Sequence, residues 1–428
     1  MEKPKDQVSG YIHRMARILE QNTNHAAPAE KRIAHSFIQK IGGAALEKDL
    51  PQAKIFPEQE EDFYSKVSHY IDLTLKTFQK MSHPHFASED QAKFIFALSQ
   101  TYETLGNYQA ALKNYEEALN LVSRDQHLSL SAQIQYRMAV IYSEMGQWKK
   151  AGDLLNSARE IFQAAGDFKN SALTQLQSAQ ISYRKGEYLQ AGKLFESALE
   201  ASELVNDVVS TAVINNHLGV ILRMQDEFER AYQYFQRALI GFQSVQHRQG
   251  AAESFNNLGV IYLRRADLPA AIHHFEKALD LCRESANLPL MAFIYMNKAE
   301  FYIEVGDFPM ATTTSGKALD ILVRLDNPVG IARANSLFGR IFWKTGDLTL
   351  SRSFYQESMN LYREYWIPLG LANISREFSQ MLQESGRTDE ARKMLERANE
   401  LYGKLNLQSG KLKDKEIEEK IDTKNGLN

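Results

Sequence analysis

The sequence predicts an all-α solenoid of eight 40-residue helical hairpins, and three observations carry that prediction. The stretch Ser254 to Leu279, SFNNLGVIYLRRADLPAAIHHFEKAL, reads as one complete helix–turn–helix unit. A small residue returns every 40 positions, at Ala92, Ala132, Ala172, Ala212, Ala252, Ala292, Ala332 and Ala372. Further registers keep the same step: a turn residue at Gly106, Gly146, Gly186, Asp226, Ala266, Gly306, Gly346 and Gly386, then small residues beginning at Ala111 and at Ala118. Four registers agreeing across eight units is not a product of chance.

Residues 1–91 stand outside this period and read as an N-terminal helical region that caps the array. Val8, Ile12, Met15 and Leu19 form one helical stripe, and Ile33, Phe37 and Ile41 a second that Pro28 would start and Gly42–Gly43 would stop. Pro51 and Pro57 mark a linker. Phe63, Val67, Tyr70, Ile71, Leu75 and Phe78 then form a third stripe, suited to covering the open end of a repeat array.

The array itself spans 92–405, with units starting near 92, 132, 172, 212, 252, 292, 332 and 372. Each turn glycine supplies the left-handed residue that closes a first helix without a Cβ penalty. Asp267, Asp307 and Asp347 sit where the second helix needs an N-cap, and Pro269 and Pro309 fit its first turn. The alanines permit close helix approach, and Tyr115, Leu155, Phe195, Phe235, Phe275, Tyr355 and Leu395 between them are the expected core. Ser315 interrupts that series, so the sixth unit is expected to pack less tightly there. Asp226 and Ala266 replace the turn glycine in the two central units, which implies either another turn geometry or a softer centre. Residues 406–428 form a charged tail with Leu412, Ile417 and Ile421 as its apolar anchors.

Composition narrows the classes of function. Lys and Arg number 50 and Asp and Glu 53, so the net charge of −3 gives no general drive toward nucleic acid or anionic lipid. Cys282 is the only cysteine, which excludes an intrachain disulfide and a four-cysteine zinc site. With no signal-like apolar core at the N-terminus and no apolar run of about 18 residues, no membrane insertion and a cytoplasmic location are expected.

The small residue at the eighth position (Ala139, Ala179, Gly219, Gly259, Ala299, Gly339) and the aromatic three further on (Tyr142, Tyr262, Tyr302, Phe342) resemble the tetratricopeptide repeat. That family's ordinary unit has about 34 residues, so this is a long form. INNHLGVI and FNNLGVIY are similar to the repeats of kinesin light chains and of Partner-of-Inscuteable-type adaptors, and the long form also resembles bacterial Rap-type regulators. The resemblance covers about three quarters of the chain and implies a right-handed superhelical solenoid.

It also implies a concave groove lined by recurring positions of each first helix. Mapped here, these give Tyr136, Tyr183, Asn216, His217, Val220, Arg223, Asn256, Asn257, Arg264, Met296, Asn297, Arg333, Arg340, Trp343 and Arg376 as candidate peptide-binding residues. Asparagine can bond both backbone groups of an extended peptide, and arginines favour a protein or peptide partner with acidic residues. The plainer alternative is that the asparagines bond neighbouring helices and the arginines are simply solvated. Asn216 and Val220 stand where the family's chaperone-tail clamp needs lysine and asparagine, so that ligand is not expected.

No glycine-rich phosphate loop, GxSxG elbow or HExxH pair occurs. His83 and His85, like His273 and His274, lack the four-residue step of paired metal ligands, and Cys282 reads as packing. No catalytic residue, metal or cofactor is therefore expected. The leading expectation is a non-catalytic adaptor that binds a partner's peptide segment in the groove. A peptide-sensing regulator of the Rap type, with residues 1–91 as its effector module, and a self-assembling structural protein are the alternatives. Homo-oligomerisation is left open.

Overall fold

The computed structural model describes residues 88–407, apart from 105, 123–127 and 286. The expected N-terminal helices up to residue 87 and the tail from 408 lie outside the described residues. Every regular element among the described residues is an α-helix. They are α1 (Ser88–Thr104), α2 (Tyr108–Leu121), α3 (Leu128–Glu144), α4 (Trp148–Ala164), α5 (Phe168–Arg184), α6 (Tyr188–Leu204), α7 (Val208–Met224) and α8 (Phe228–Ser244). Then follow α9 (Arg248–Arg264), α10 (Leu268–Ser285), α11 (Leu288–Glu304), α12 (Phe308–Arg324), α13 (Pro328–Thr345), α14 (Leu348–Glu364), α15 (Pro368–Glu384) and α16 (Thr388–Lys404). Two compact units divide the chain, Met1–Gln177 and Ser178–Asn428. The first holds α1–α4 and most of α5; the second holds the end of α5 and α6–α16.

The 40-residue period has a simple origin. Helices of 17 residues alternate with three-residue connections, as in α7, α8 and α9. At about 1.5 Å per residue each helix is roughly 25 Å long. The three-residue connections between the 17-residue helices use one device, seen for example after α7 and α9. After α7 the Asp226 N–H donates to the Arg223 carbonyl at 3.2 Å and the Glu227 N–H to the Leu222 carbonyl at 2.9 Å, with Asp226 left-handed at φ +62°. That is a Schellman closure, and it satisfies carbonyls the helix end leaves free. Ala266 adopts the same geometry at φ +57°, so the central turns are left-handed despite lacking glycine.

The device also recurs between hairpins, at Gly166, Asn206, Gln246, Asp326 and Trp366, and after the last described helix at Asn406, and only one of these residues is glycine. The following residue then caps the next helix: the Asp307 and Asp347 carboxylates accept from the Met310 and Leu350 N–H at 3.1 and 3.0 Å. Asp267 does the same for Ala270 at 3.1 Å. One three-residue connection thus ends one helix and starts the next, which keeps the repeat length constant.

Packing follows the small and large registers. The alanines beginning at Ala111 and Ala118 are buried, as are Tyr115, Leu155, Phe195, Phe235, Phe275, Tyr355 and Leu395. Gly219 and Gly259 show why the eighth position is small: a Cβ there would stand 2.6 Å from the Phe235 and Phe275 rings. Ser315 is fully buried, and its hydroxyl has no hydrogen-bond partner among the described residues. A hydroxymethyl occupies the position where neighbouring hairpins place a ring.

Candidate functional site

Within the second unit, the first helices of successive hairpins set their small residues against the rings of their own second helices, and other residues of those first helices line a cavity of about 1270 Å³. The unit's two ends meet beside it. Tyr188, at the start of α6, and Met224, at the end of α7, pack against the buried cluster Ala372, Ala398, Tyr402 and Leu407 of the last hairpin. Leu405 comes so close to Gly186 that a Cβ on that glycine would lie 3.3 Å from it. The concave face is thereby closed into a chamber.

Eleven of the fifteen candidate residues line this chamber: Tyr183, Asn216, Val220, Arg223, Asn256, Asn257, Arg264, Asn297, Arg333, Arg340 and Arg376. The asparagines form a ladder between neighbouring first helices. The Asn257 amide donates to the Asn216 carbonyl at 2.9 Å, and the Asn297 amide to the Asn256 carbonyl at 2.8 Å. Arg333 extends the ladder by donating to the Asn297 carbonyl at 2.5 Å. Each bonded asparagine pair is 41 residues apart, one repeat plus the one-residue offset that brings facing positions together. The structural use of asparagine is therefore present, but it occupies only part of each amide. The Asn216 and Asn256 NH₂ groups are not spent on the ladder.

Arginines and carboxylates line the chamber together. Glu300 lies among arginines: burial pushes its carboxyl up, but Arg333, Arg340 and Arg264 together hold it below the usual carboxylate range. Glu377 goes the other way, because burial outweighs the pull of Arg340 and raises its pKa. Glu253 is likewise raised by burial, against one hydrogen bond from Gln249. Arg223 is pushed down by burial and then by the neighbouring Arg333 charge. Five arginines and three glutamates thus share the lining with apolar surface from Val220, Val260, Phe293 and Leu369.

Four candidates fall elsewhere. Met296 is fully buried in the core between α11, α12 and α13, so it cannot face a ligand. His217 lies flat on Phe195, with ring centroids 4.8 Å apart, and edge-on to Tyr183 at 5.3 Å. Burial and Arg184 push its pKa down to about 4, which keeps the ring neutral as a packing element. Trp343 donates to Glu384 at 3.0 Å and carries the Lys344 ammonium over its ring at 3.9 Å. Tyr136 packs on Ala132, Ala158 and Phe162 in the first unit. Helical register gave all four the same standing, but packing takes up Met296 and His217, Glu384 holds Trp343, and Tyr136 belongs to the first unit.

The register mapping omitted Glu377, although it stands 80 residues after Asn297 at the same position of its hairpin. Applying the register to the last unit finds it. Tyr188, Tyr402 and Leu407 carried no such signal, since they reach the chamber from the second helices and the chain's far end. Cys282 is buried, and burial raises its thiol to about 12, which removes it as a nucleophile. Among the described residues, no group of three His, Cys, Asp or Glu could hold a metal ion, and no helix is long and apolar enough to cross a membrane.

Comparison with known proteins gives a consistent assignment. A tetratricopeptide repeat model matches residues 130–204, 170–239, 210–284 and 330–404, and a second model of the same repeat matches 92–121. No curated protein matches the chain. Among solved structures it is similar to the apo form of the quorum sensor NprR from B. thuringiensis. That match has 14% identity, 83% of this chain, 98% of that chain and a TM-score of 0.59. It is also similar to a Rap protein complexed with Competence and Sporulation Factor (14% identity, 85% and 99% coverage, TM-score 0.53) and to apo RapI (19%, 64% and 98%, 0.53). At these identities the shared property is the fold. With the repeat model covering more than half of its length, the chain belongs to the tetratricopeptide repeat family.

Proposed function

We propose that this protein is a non-catalytic binding scaffold that holds a short peptide segment of a partner in the chamber of its second unit. The observation that carries the reading is the chamber's size and lining. At about 1270 Å³ it exceeds the roughly 300–1,000 Å³ typical of small-molecule pockets. Its walls alternate apolar patches with the amides of Asn216 and Asn256, which can bond a peptide backbone without regard to its side chains. The similar structures support it in kind, one being a quorum sensor and another a Rap protein in complex with Competence and Sporulation Factor.

Affinity capture from the native host, read by mass spectrometry, tests the proposal. The bait is compared with Val260→Trp, which fills the chamber from a wall position, after both have given the same helical circular dichroism. A partner captured by the parent and lost by the variant is the expected result. A partner held equally by both moves the binding surface out of the chamber and sinks the reading.

The matches to NprR and the Rap protein run over nearly the whole of those chains, and this favours a second reading. In it, ligand binding in the chamber controls an action of residues 1–91 on another protein. Limited proteolysis that removes a stable fragment near residues 51–58, with rates changed by ligand, would support that version. A cleavage pattern indifferent to ligand would speak against it.

A further inference from the structure

We propose that the peptide bound in the chamber is acidic, with a carboxylate seated on Arg223 and Arg264. This rests on the chamber being a peptide site, and it says which chemistry that site selects.

Five guanidinium groups face the chamber, and three of them are already engaged. Arg340 donates to Glu304 at 2.9 Å. Arg333 donates to Asn297 at 2.5 Å and to Glu300 at 3.3 Å. Arg376 lies over the Tyr402 ring at 4.9 Å. Arg223 and Arg264 make no hydrogen bond or ion pair with any described residue, and the Arg223 Nε is buried without a partner.

These two arginines are also neighbours. They are 41 residues apart, the same step that brings Asn257 onto Asn216 and Asn297 onto Asn256 across adjacent first helices. Their charges act on each other, and Arg333 adds a third positive charge at Arg223. The carboxylate they share is Glu300, which already serves Arg333 and Arg340. Partly desolvated like charges raise the free energy of the empty site, and an incoming anion lowers it. A guanidinium fork matches a carboxylate bidentately, and the unspent Asn216 NH₂ stands one to two helical turns from Arg223 on the same helix to hold the adjoining backbone. The carboxylate can come from an Asp or Glu side chain or from the peptide's own C-terminus. Glu253 and Glu377 also line the chamber and are the groups that would attract a basic peptide instead, and the Glu377 charge acts on Arg264 and Arg340.

The test uses the full chain and four fluorescein-labelled hexapeptide pools, followed by fluorescence anisotropy. The pools are acidic with an amidated C-terminus, neutral with a free C-terminus, neutral amidated, and basic amidated. One of the first two should bind at least about tenfold more tightly than the neutral amidated pool, as expected for a charge-assisted bidentate contact. The winner identifies the carboxylate's source. Arg264→Gln, an exposed position on the chamber wall, should lose at least about tenfold for that pool while its melting temperature stays near the parent's. Tightest binding by the neutral amidated or basic pool, lost in Val260→Trp, would keep the peptide site and overturn its acidic preference. Acidic binding unchanged by Arg264→Gln would place the seat elsewhere. Binding by no pool would overturn both readings.

Discussion

Tyr115 in the first unit and Tyr355 in the second occupy the same position of their hairpins, and both are fully buried. Their hydroxyls live differently. Tyr115 donates to Glu103 at 2.7 Å, and Glu103 is paired with Arg137 at 3.3 Å, so the polar tail ends in a closed network. The Tyr355 hydroxyl has no hydrogen-bond partner among the described residues, although the Glu377 carboxyl raises its pKa further above what burial alone does. Glu377 leaves Oε2 without a partner, and Arg340 turns instead to Glu304. The same ring fills the same hole in both places. In the first region Glu103 is spent on joining Tyr115 and Arg137, whereas in the second Arg223 and Arg264 line the chamber with no hydrogen bond or ion pair to a described residue. Repetition constrains the apolar core; it leaves the polar rim free to diverge.

The comparison breaks first if the two rings do not contribute alike. Tyr115→Ala and Tyr355→Ala should each cost about 3–5 kcal/mol in chemical denaturation, as large-to-small changes in a packed core do. A markedly cheaper Tyr355→Ala would mean that the second region tolerates a void. A buried titratable ring sharpens the contrast next. His217 has a folded pKa of about 4 against an ordinary 6.5, so the unfolded chain takes up its proton first as the pH falls. The stability held above pH 6.5 is lost progressively toward pH 4, by up to about 3 kcal/mol. His217→Leu should remove that part of the acid slope, seen as a flatter dependence of denaturation midpoint on pH. An unchanged slope would place the imidazole in water.

Smaller changes probe the hydroxyls directly. Tyr115→Phe should cost about 1–2 kcal/mol, because it leaves a buried carboxylate short of a donor. Tyr355→Phe should be neutral or slightly stabilising, since it deletes a buried group that has no partner. Equal losses in the two variants would refute the contrast. Last come the turns. Ala266 is held at φ +57° where its counterpart Gly306 sits at +79°. Ala266→Gly should raise stability by about 1 kcal/mol and Gly306→Ala lower it by a similar amount, both read as shifts in melting temperature.

Much of this architecture was legible in the residues. The turn glycines, the capping aspartates, the small eighth position and the large core residues each have a cause that acts within a few residues or between two adjacent helices. The candidate site was legible only in part. Register reasoning found Asn216, Asn256, Asn257 and the arginines, because concave positions recur with the repeat. It misplaced Met296, whose flexible side chain fills the core, and His217, which stacks on Phe195 rather than facing inward. The inter-hairpin turns were also missed, because Asn206, Gln246 and Trp366 carry a left-handed backbone without the glycine that announces it.

The sequence by itself determined the helical hairpin, its 40-residue period and the residues that form its core, since backbone capping and helical periodicity are local and repeat with the chain. Only the tertiary structure decided which polar groups remain available and that a groove becomes a chamber. The asparagine ladder joins residues 41 apart, and the closure brings Leu405 against Gly186 across more than two hundred residues. Such contacts depend on small rotations accumulated from hairpin to hairpin, and no local pattern of residues encodes that sum.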